Sequence, residues 1–225
     1  MRILVVAPHP DDEVLGCGGT IRRYASAGHE VHIAIVTRGW APLFPDSQVE
    51  QVRGEARDAA EILGAEELHF LDLPVTQLAQ LPEHELNAAI GSLLDRVQPA
   101  WVFLPYRSDL HEDHRQIFDA AQVALRPLPN RLGVERVLCY ETLSETHWHA
   151  PHVEPAFAPQ VYIDITQTLD TKLDAMRAYR SQLRDAPNTR SIESIEALAR
   201  FRGMTVHRHA AEAFVLLREI VGRVI

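Results

Sequence analysis

The sequence predicts a single α/β domain of the Rossmann-like kind, in which helices cover both faces of a mostly parallel central sheet. Three observations predict this fold. Short apolar β-rich runs alternate four times with helical segments, no linker or composition break divides the 225 residues, and no apolar run is long enough to cross a membrane. We therefore expect one domain over residues 1–225, with its active site at the carboxyl ends of the strands.

The apolar spacing and the turn residues define the elements in order. Gly28 ends the first helix and Gly64 ends the second. The type of the last segment, Ala210–Leu217, stays open. The predicted strands are Arg2–Ala7, Val31–Thr37, Leu68–Leu71, Trp101–Leu104, Val134–Tyr140 and Val161–Ile163. The predicted helices are Val14–Ala27, Val49–Leu63, Glu83–Val97, Asp113–Leu125, Gln167–Leu183 and Ser191–Phe201.

Composition excludes several classes of chemistry. The formal net charge of −9, with no basic stripe to offset it, argues against a nucleic-acid partner. Lys172 is the one lysine among 22 basic residues, and no phosphate-binding glycine loop surrounds it. Cys17 and Cys139 are interpreted as reduced thiols. Since the first residues do not form a secretory signal, we expect a cytoplasmic protein with no membrane partner.

The first motif with chemical content is the turn between the first strand and the first helix, Ala7-Pro8-His9-Pro10-Asp11-Asp12-Glu13. Proline and acidic residues at a helix start are ordinary capping, which is the alternative interpretation. Capping does not explain the histidine or the second carboxylate. His9 and Asp12 can converge on one point while Asp11 points elsewhere, which suits a metal with a second carboxylate beside it. The glycines that follow do not spell a dinucleotide-binding fingerprint.

The second motif follows the strand Trp101–Leu104 and includes Asp109-Leu110-His111-Glu112-Asp113-His114. One helical turn would place His111 and His114 side by side, although two histidines and two acids also suit a solvated helix start. Both motifs follow strand carboxyl ends, where ligand crevices form in open α/β sheets. Two histidines and one carboxylate would give a catalytic zinc three ligands and leave one position for water. Asp113 is placed to orient one of the histidines.

The two motifs, in this order and spacing, resemble those of the PIG-L/LmbE family of zinc-dependent N-acetylglucosaminyl deacetylases. They read APHPDDEVLGCGGT from Ala7 and DLHEDH from Asp109. Weaker similarity includes the helix that carries Arg53 and the segments Tyr179–Gln182 and Ala211–Phe214. The resemblance implies hydrolysis of the N-acetyl group of an amino sugar with release of acetate. It also implies Zn²⁺ as the cofactor, with another divalent transition metal as the alternative.

The resemblance also implies roles for individual residues. His9, Asp12 and His114 would bind the metal, and Asp11 would be the general base. His111, steadied by Asp113, would stabilise the intermediate. We expect the substrate to contact three further residues, namely Arg53, Asp109 and Arg107. The oxyanion donor that the family often supplies from tyrosine or arginine stays open between Tyr106, Arg107 and Arg180.

Several alternatives remain at this point. The second motif approximates the HxHxDH signature of metallo-β-lactamase-like enzymes, but Asp109 stands where that fold needs histidine, and the first motif would be unexplained. An esterase, another amidase or a silent sugar-binding protein would also suit the fold. His147, His149 and His152 lie on a proline-flanked loop that could contact a metal, a substrate or neither. The apolar loop Trp40–Pro45 suggests a homo-oligomer.

Overall fold

The computed structural model describes residues 1–128 and 133–222, which form seven strands, six α-helices and a short 3₁₀ turn at Leu78–Gln80. The strands are β1 (Arg2–Ala7), β2 (Glu30–Arg38), β3 (Glu67–Pro74), β4 (Trp101–Pro105), β5 (Arg136–Tyr140), β6 (Val161–Asp164) and β7 (Ala211–Glu219). The helices are α1 (Asp12–Ser26), α2 (Asp46–Leu63), α3 (Glu83–Val97), α4 (Glu112–Ala124), α5 (Leu169–Ala178) and α6 (Ile192–Met204). Residues 129–132 and 223–225 of the predicted domain lie outside the described residues.

All strands belong to one sheet with the order β3-β2-β1-β4-β5-β7-β6. The first five strands are parallel to one another, whereas β7 runs antiparallel to both of its neighbours. The chain winds outward from β1 to β3 and then returns to place β4 on the other side of β1. This reversal makes the carboxyl ends of β1 and β4 a topological switch point, where open α/β sheets form ligand crevices.

The predicted α/β class and the helices on both faces are confirmed. One apolar core lies between the sheet and α1, α2, α5 and α6, and a second lies between the opposite face and α3 and α4. Within the described residues, no helix combines the length and the apolar character that crossing a bilayer requires.

Two glycines let α1 approach the rest of the core closely. A Cβ on Gly16 would overlap the Tyr140 ring, and one on Gly19 would lie 2.7 Å from Ile165. These glycines therefore allow close packing of α1 against the rest of the core.

Candidate active site

Both sequence motifs lie at the switch point between β1 and β4. The residues after β1 form a tight turn into α1, and the residues after β4 lead into α4, whose N-cap is His111. Thr37, at the end of β2, donates to the Pro8 carbonyl from both its main-chain N–H and its hydroxyl. Tyr140 at the end of β5 donates to the Val6 carbonyl. The neighbouring strands thus hold the first turn in place.

One ring nitrogen of His9 bonds to a carboxylate, which leaves the other ring nitrogen available as a ligand atom. His9 Nε2 lies 3.0 Å from Asp113 Oδ2, so the ring donates its proton there. The Asp113 carboxylate also accepts from the main-chain N–H of Thr76 at 2.9 Å. His9 Nδ1 is then the unprotonated nitrogen of the neutral ring, and it lies 3.3 Å from Asp12 Oδ2.

His114 is held in the same manner by a different carboxylate. Its Nδ1 lies 2.8 Å from Asp109 Oδ2, and the other Asp109 oxygen accepts from the Thr146 hydroxyl at 2.6 Å. The second ring nitrogen, Nε2, is fully buried and lies 3.2 Å from Asp12 Oδ2, but it makes no hydrogen bond of acceptable geometry to any residue that the structure describes. Burial alone would lower the pKa of His114, but the Asp12 and Asp109 carboxylates raise it to about 10. The surroundings of this ring thus favour a positive charge.

The donor atoms fit a divalent transition metal. Ligand atoms of His9, Asp12 and His114 all lie within 4.8 Å of one another. Two ligand atoms that each lie about 2.0–2.1 Å from one tetrahedral zinc are about 3.3 Å apart. Asp12 Oδ2 lies at nearly this distance from both His9 Nδ1 and His114 Nε2. Carboxylates on the far nitrogen of each histidine are the usual support of metal-binding imidazoles. His9, His111 and Asp113 also lie close together, but in that group the Asp113 carboxylate already bonds to His9.

Asp11 and Asp12 are adjacent but have opposite surroundings. Burial alone would raise the pKa of Asp12, but His114 and then His9 hold it well below its usual range. Burial raises the pKa of Asp11 to about 7, against the opposing charge of Arg190, whose Nε lies 3.6 Å from Asp11 Oδ2. Among the residues that the structure describes, neither buried side-chain oxygen of Asp11 has a hydrogen-bond partner, so the Asp11 side chain does not cap α1, although Asp11 is its N-cap residue. The ordinary capping interpretation is therefore wrong for Asp11.

A cavity of about 530 Å³ opens beside these groups. His9 and His111 line it, together with Arg190, which comes from the segment before α6. Arg53 of α2 also lines it, with its guanidinium carbon 3.9 Å from the centre of the Phe70 ring. The remaining lining residues are Pro10, Thr37, Arg38, Gly39, Phe44, Gln48, Val49, Gln51, Val52, Phe70, Val75, Thr76, Glu145, Ser181, Gln182 and Arg184.

The orientation of His111 makes it a hydrogen-bond donor towards this cavity. The main-chain N–H of Asp113 donates to His111 Nδ1 at 3.1 Å, which caps α4 and leaves the ring proton on Nε2. Burial and then the neighbouring His9 lower the pKa of His111 to about 4. The ring is therefore neutral near pH 7, with one N–H that can donate to a ligand.

Comparison with known proteins agrees with this geometry. The family described as PIG-L, GlcNAc-PI de-N-acetylase, matches residues 4–125. The chain belongs to the PIG-L family. Among PIG-L relatives, the uncharacterized deacetylase YaiS of Escherichia coli K12 is 29% identical over 185 residues, which cover 80% of this chain and 90% of YaiS. The diacetylchitobiose deacetylase of Thermococcus kodakarensis is 28% identical over 196 residues, covering 80% of this chain and 70% of that enzyme.

The PIG-L fold is also found among solved structures. The conserved protein TT1542 from Thermus thermophilus superimposes with a TM-score of 0.78 at 30% identity, and the match covers 98% of this chain and 96% of TT1542. The similarity spans both motifs and extends beyond α4, where the family match ends. The later part of the chain, which supplies Ser181, Gln182 and Arg190 to the cavity, thus belongs to the same architecture.

Two of the expected substrate contacts of this PIG-L chain need correction. Asp109 is completely buried, and both of its oxygens are engaged by His114 and Thr146, so it orients a histidine and cannot reach a substrate. Arg107 lies on the surface in the loop before α4, where it pairs with Asp119 through two hydrogen bonds, and it does not line the cavity. Arg53 does line the cavity, and its contact with the substrate stays a prediction.

The expected support of His111 also differs. Asp113 contacts His111 through its main-chain N–H, whereas its carboxylate lies 3.9 Å from His111 Nδ1 and bonds to His9 instead. None of the three arginine and tyrosine candidates for an oxyanion donor lines the cavity. Tyr106 donates to main-chain carbonyls of Pro155 and Ala156, and Arg180 is exposed.

The remaining histidines lie outside the cavity lining. His147 pairs with the buried Glu141 at 3.1 Å, and His149 contacts the Thr146 carbonyl. His32 and His69 lie on β2 and β3, where His32 Nδ1 and His69 Nε2 are 3.3 Å apart. Glu67, which is more than half exposed, lies next to this pair. Since these residues are near the amino end of β3, we interpret the pair as a structural contact.

Proposed function

We propose that this chain is a zinc-dependent N-deacetylase that hydrolyses the N-acetyl group of an amino sugar and releases acetate. One observation carries the proposal. His9 and His114 each bond to a carboxylate through one ring nitrogen and direct the other nitrogen at the same Asp12 oxygen, beside a cavity of sugar size. His9, Asp12 and His114 would hold the metal.

The bound metal would polarise the acetyl carbonyl and make water acidic near neutral pH. Asp11 would accept a proton from the attacking water, and its buried carboxylate has a pKa of about 7, suited to taking up and returning a proton. The C–N bond then breaks, and Asp11 returns the proton to the departing nitrogen. The water oxygen has formed the new C–O bond, so the immediate products are acetic acid and the free amine. The acid then gives its proton to the amine or to solvent and leaves as acetate, so atoms and charge balance.

His111 would stabilise the developing oxyanion. Its neutral ring lines the cavity and carries its proton on Nε2, so it can donate one hydrogen bond to the carbonyl oxygen as that oxygen gains negative charge. A donor of this kind contributes about 3–4 kcal/mol to transition-state stabilisation in other acyl-transfer enzymes. Asp113 would act on the same site by orienting His9.

The cavity and the relatives support a substrate class. The Thermococcus relative is a diacetylchitobiose deacetylase, and the family match carries the description of a GlcNAc-PI de-N-acetylase. We therefore propose that this chain also acts on a substrate that contains N-acetylglucosamine, and that Arg53 contacts the sugar.

We expect this small N-acetylated sugar to be the partner of the chain. We expect no nucleic-acid or membrane partner, and we expect the protein to act in the cytoplasm. Homo-oligomer formation also stays a prediction. Leu43 and Phe44 of the apolar loop are exposed and could contact a second copy, but Phe44 also lines the cavity.

The test is acetate release from N-acetylglucosamine and diacetylchitobiose, measured with and without a chelator. We expect activity that chelation abolishes and zinc restores. Asp11→Ala should lower kcat by a factor of about 10²–10⁴ while the bound zinc remains near one per chain. Asp174→Ala, on the exposed face of α5, is the matched control.

Two outcomes would contradict the assignments. If Asp11→Ala lost the metal and Asp12→Ala retained it, the roles of the two carboxylates would be reversed. If the zinc-loaded protein released no acetate from any N-acetylated sugar, the deacetylase proposal would be wrong.

A further inference from the structure

Two buried polar side chains, those of Glu13 and Tyr179, meet beside the turn that carries Asp11 and have no part in the proposed steps. The Glu13 side chain is 1% exposed, and Tyr179 is completely buried. The Tyr179 hydroxyl donates to Glu13 Oε1 at 2.5 Å. Burying a carboxyl group is costly unless hydrogen bonds compensate for the lost water, so this contact calls for a physical reason.

The other oxygen of Glu13 holds the main chain of Asp11. Glu13 Oε2 accepts from the main-chain N–H of Asp11 at 3.2 Å. Asp11 is the N-cap residue of α1, so its N–H has no helical carbonyl to bond to. Its carbonyl accepts from Val14 and Leu15, as at an ordinary helix start, whereas its side-chain oxygens have no partner among the described residues. The contact with Glu13 therefore holds Asp11 on the side of the turn that the helix leaves unsupported.

Tyr179 is fixed by the end of α5, which it follows directly. Its carbonyl accepts from the N–H groups of Gln182 and Leu183 at 3.0 and 2.9 Å, so the chain turns back on itself at this point. The hydroxyl thus reaches Glu13 from an ordered segment 166 positions away. Through Glu13, this segment is connected to the main chain of Asp11.

Helix capping is the alternative explanation. A first-turn glutamate that reaches back to the N-cap N–H stabilises a helix start wherever it occurs. Capping does not require burial, however, and the first-turn glutamates of α3, Glu83 and Glu85, are exposed. It also does not require a second buried hydroxyl group that arrives from another helix end.

We propose that Glu13 and Tyr179 are positioning residues for the reaction, which hold the main chain of Asp11 in its left-handed conformation. They thereby keep the Asp11 carboxyl near Arg190 and apart from that of Asp12. This proposal rests on the proposed role of Asp11 as the general base. Small displacements of a reacting group are enough to slow an enzyme about 10²-fold, so a support that touches no substrate can still govern turnover.

Kinetics of Glu13 variants test the proposal. Glu13→Ala should lower kcat by about 10- to 100-fold, with KM and the zinc content unchanged. Glu13→Gln should stay within about threefold of the wild type, because one amide oxygen still accepts from Asp11 and the NH₂ group can donate to the Tyr179 oxygen. Glu85→Ala, which removes an exposed first-turn glutamate from α3, is the matched control. A Glu13→Gln enzyme as slow as Glu13→Ala, or a loss of zinc in Glu13→Ala, would overturn the proposal.

Tyr179→Phe is a milder variant in case Glu13→Ala does not fold. Loss of one hydrogen bond to Glu13 should lower kcat by up to about tenfold, again at constant KM. Its matched control is Tyr106→Phe, which removes a hydroxyl that donates to main-chain carbonyls of Pro155 and Ala156. Wild-type kcat in Tyr179→Phe would show that the hydroxyl does not position Asp11.

A double variant tells positioning from general stabilisation. If Glu13 acts through Asp11, then Asp11→Ala/Glu13→Ala should be within about twofold of the residual kcat of Asp11→Ala, since the group being positioned is already gone. Thermal melting verifies that each variant is folded. A Glu13→Ala effect of the same size with and without Asp11 would refute the positioning role.

Hydrogen exchange separates this proposal from the proposed function. Exchange of the Asp11 amide, followed by NMR on the zinc-loaded chain, measures the hold on Asp11 without turnover. We expect Glu13→Ala to speed this exchange at least about tenfold while the amides of β1 keep their wild-type rates. That result in a chain that released no acetate would support the hold on Asp11 and contradict the deacetylase. Unchanged exchange in Glu13→Ala would refute the hold, and acetate release by the wild type would then still support the deacetylase.

Discussion

Replacing Asp109 with Asn should weaken zinc binding although Asp109 is outside both the proposed metal ligands and the cavity lining. The Thr146 hydroxyl accepts from the main-chain N–H of Thr142, so its own proton goes to Asp109. The other Asp109 oxygen accepts from His114 Nδ1. A carboxylate meets both donors, but an amide cannot, because one of its two ends is an NH₂ group.

Either orientation of the new amide has a cost. If its oxygen faces Thr146, its NH₂ group faces His114 Nδ1, and the ring proton moves to Nε2, the atom that would bind zinc. If its oxygen faces His114, two donors meet at Thr146 in a completely buried place. Leaving one buried donor unsatisfied costs about 1–3 kcal/mol, and tenfold in affinity corresponds to about 1.4 kcal/mol. We therefore expect Asp109→Asn to raise the zinc dissociation constant by about 10- to 100-fold, the range found for other carboxylates that support metal-binding histidines.

The assay is competition for zinc against a chromophoric chelator at constant pH, with thermal melting of the metal-free proteins to verify folding. Asp119→Asn is the control, since it makes the same change on the exposed face of α4. Zinc binding by folded Asp109→Asn that is as tight as in the wild type would refute the argument that Asp109 sets the proton position on His114.

Two further predictions concern stability. Burial lowers the pKa of His32 and His69, so below about pH 6.5 the unfolded chain takes up protons that the folded chain excludes. The free energy of unfolding should therefore fall as the pH drops through this range. The double variant His32→Gln/His69→Gln should reduce the slope of this free energy against pH by up to about 1.4 kcal/mol per pH unit for each histidine. Chemical denaturation at pH 5 to 8 measures the slope, and equal slopes in the variant and the wild type would contradict the burial argument. Gly16→Ala should destabilise the fold by about 1–3 kcal/mol because its Cβ would meet the Tyr140 ring. Gly54→Ala should stabilise it by about 0.5–1 kcal/mol, because its Cβ would meet no described atom within 4 Å apart from its chain neighbours and the backbone of its own helix. A Gly16→Ala melting temperature at or above that of the wild type would show that α1 does not pack as described.

Local pattern predicted most of the fold. The helix Glu83–Val97 agrees with the structure at both ends, since its apolar stripe and acidic first turn depend on neighbouring residues alone. β7 shows where local pattern fails. Ala211–Glu219 begins Ala-Glu-Ala-Phe, without clear alternation, and its first four residues are buried. It is a strand because β5 and β6 pair with it from both sides, which is a property of the tertiary structure.

The helix expected at Gln167–Leu183 is shorter than predicted for a related reason. It ends at Ala178, because Tyr179 turns inward to donate to Glu13 and Ser181 turns to Glu55. These contacts reach residues more than 120 positions away, which no sequence window includes. The segment that follows α5 supplies Arg190 to the cavity. No spacing pattern in the sequence indicated that Arg190 would lie there.

The chemistry of the site was predictable wherever it depends on one turn of chain. His9 and Asp12 meet because they are three positions apart across a tight turn, as the motif indicated. Asp109 was misassigned because its motif gives residue types but no burial. A carboxylate five residues before a histidine can face a ligand or the ring, and only packing against Thr146 decides between them.

The backbone at Asp11 explains how adjacent carboxylates acquire different chemistry. Asp11 has φ of 102°, a left-handed conformation that costs a non-glycine residue about 1–2 kcal/mol. This conformation separates the Asp11 side chain from that of Asp12, so one carboxylate meets the histidines while the other is buried near Arg190. Histidine neighbours keep Asp12 ionised as a ligand should be, and burial lets Asp11 exchange a proton near pH 7. We therefore infer that the strain at this turn serves the two proposed roles.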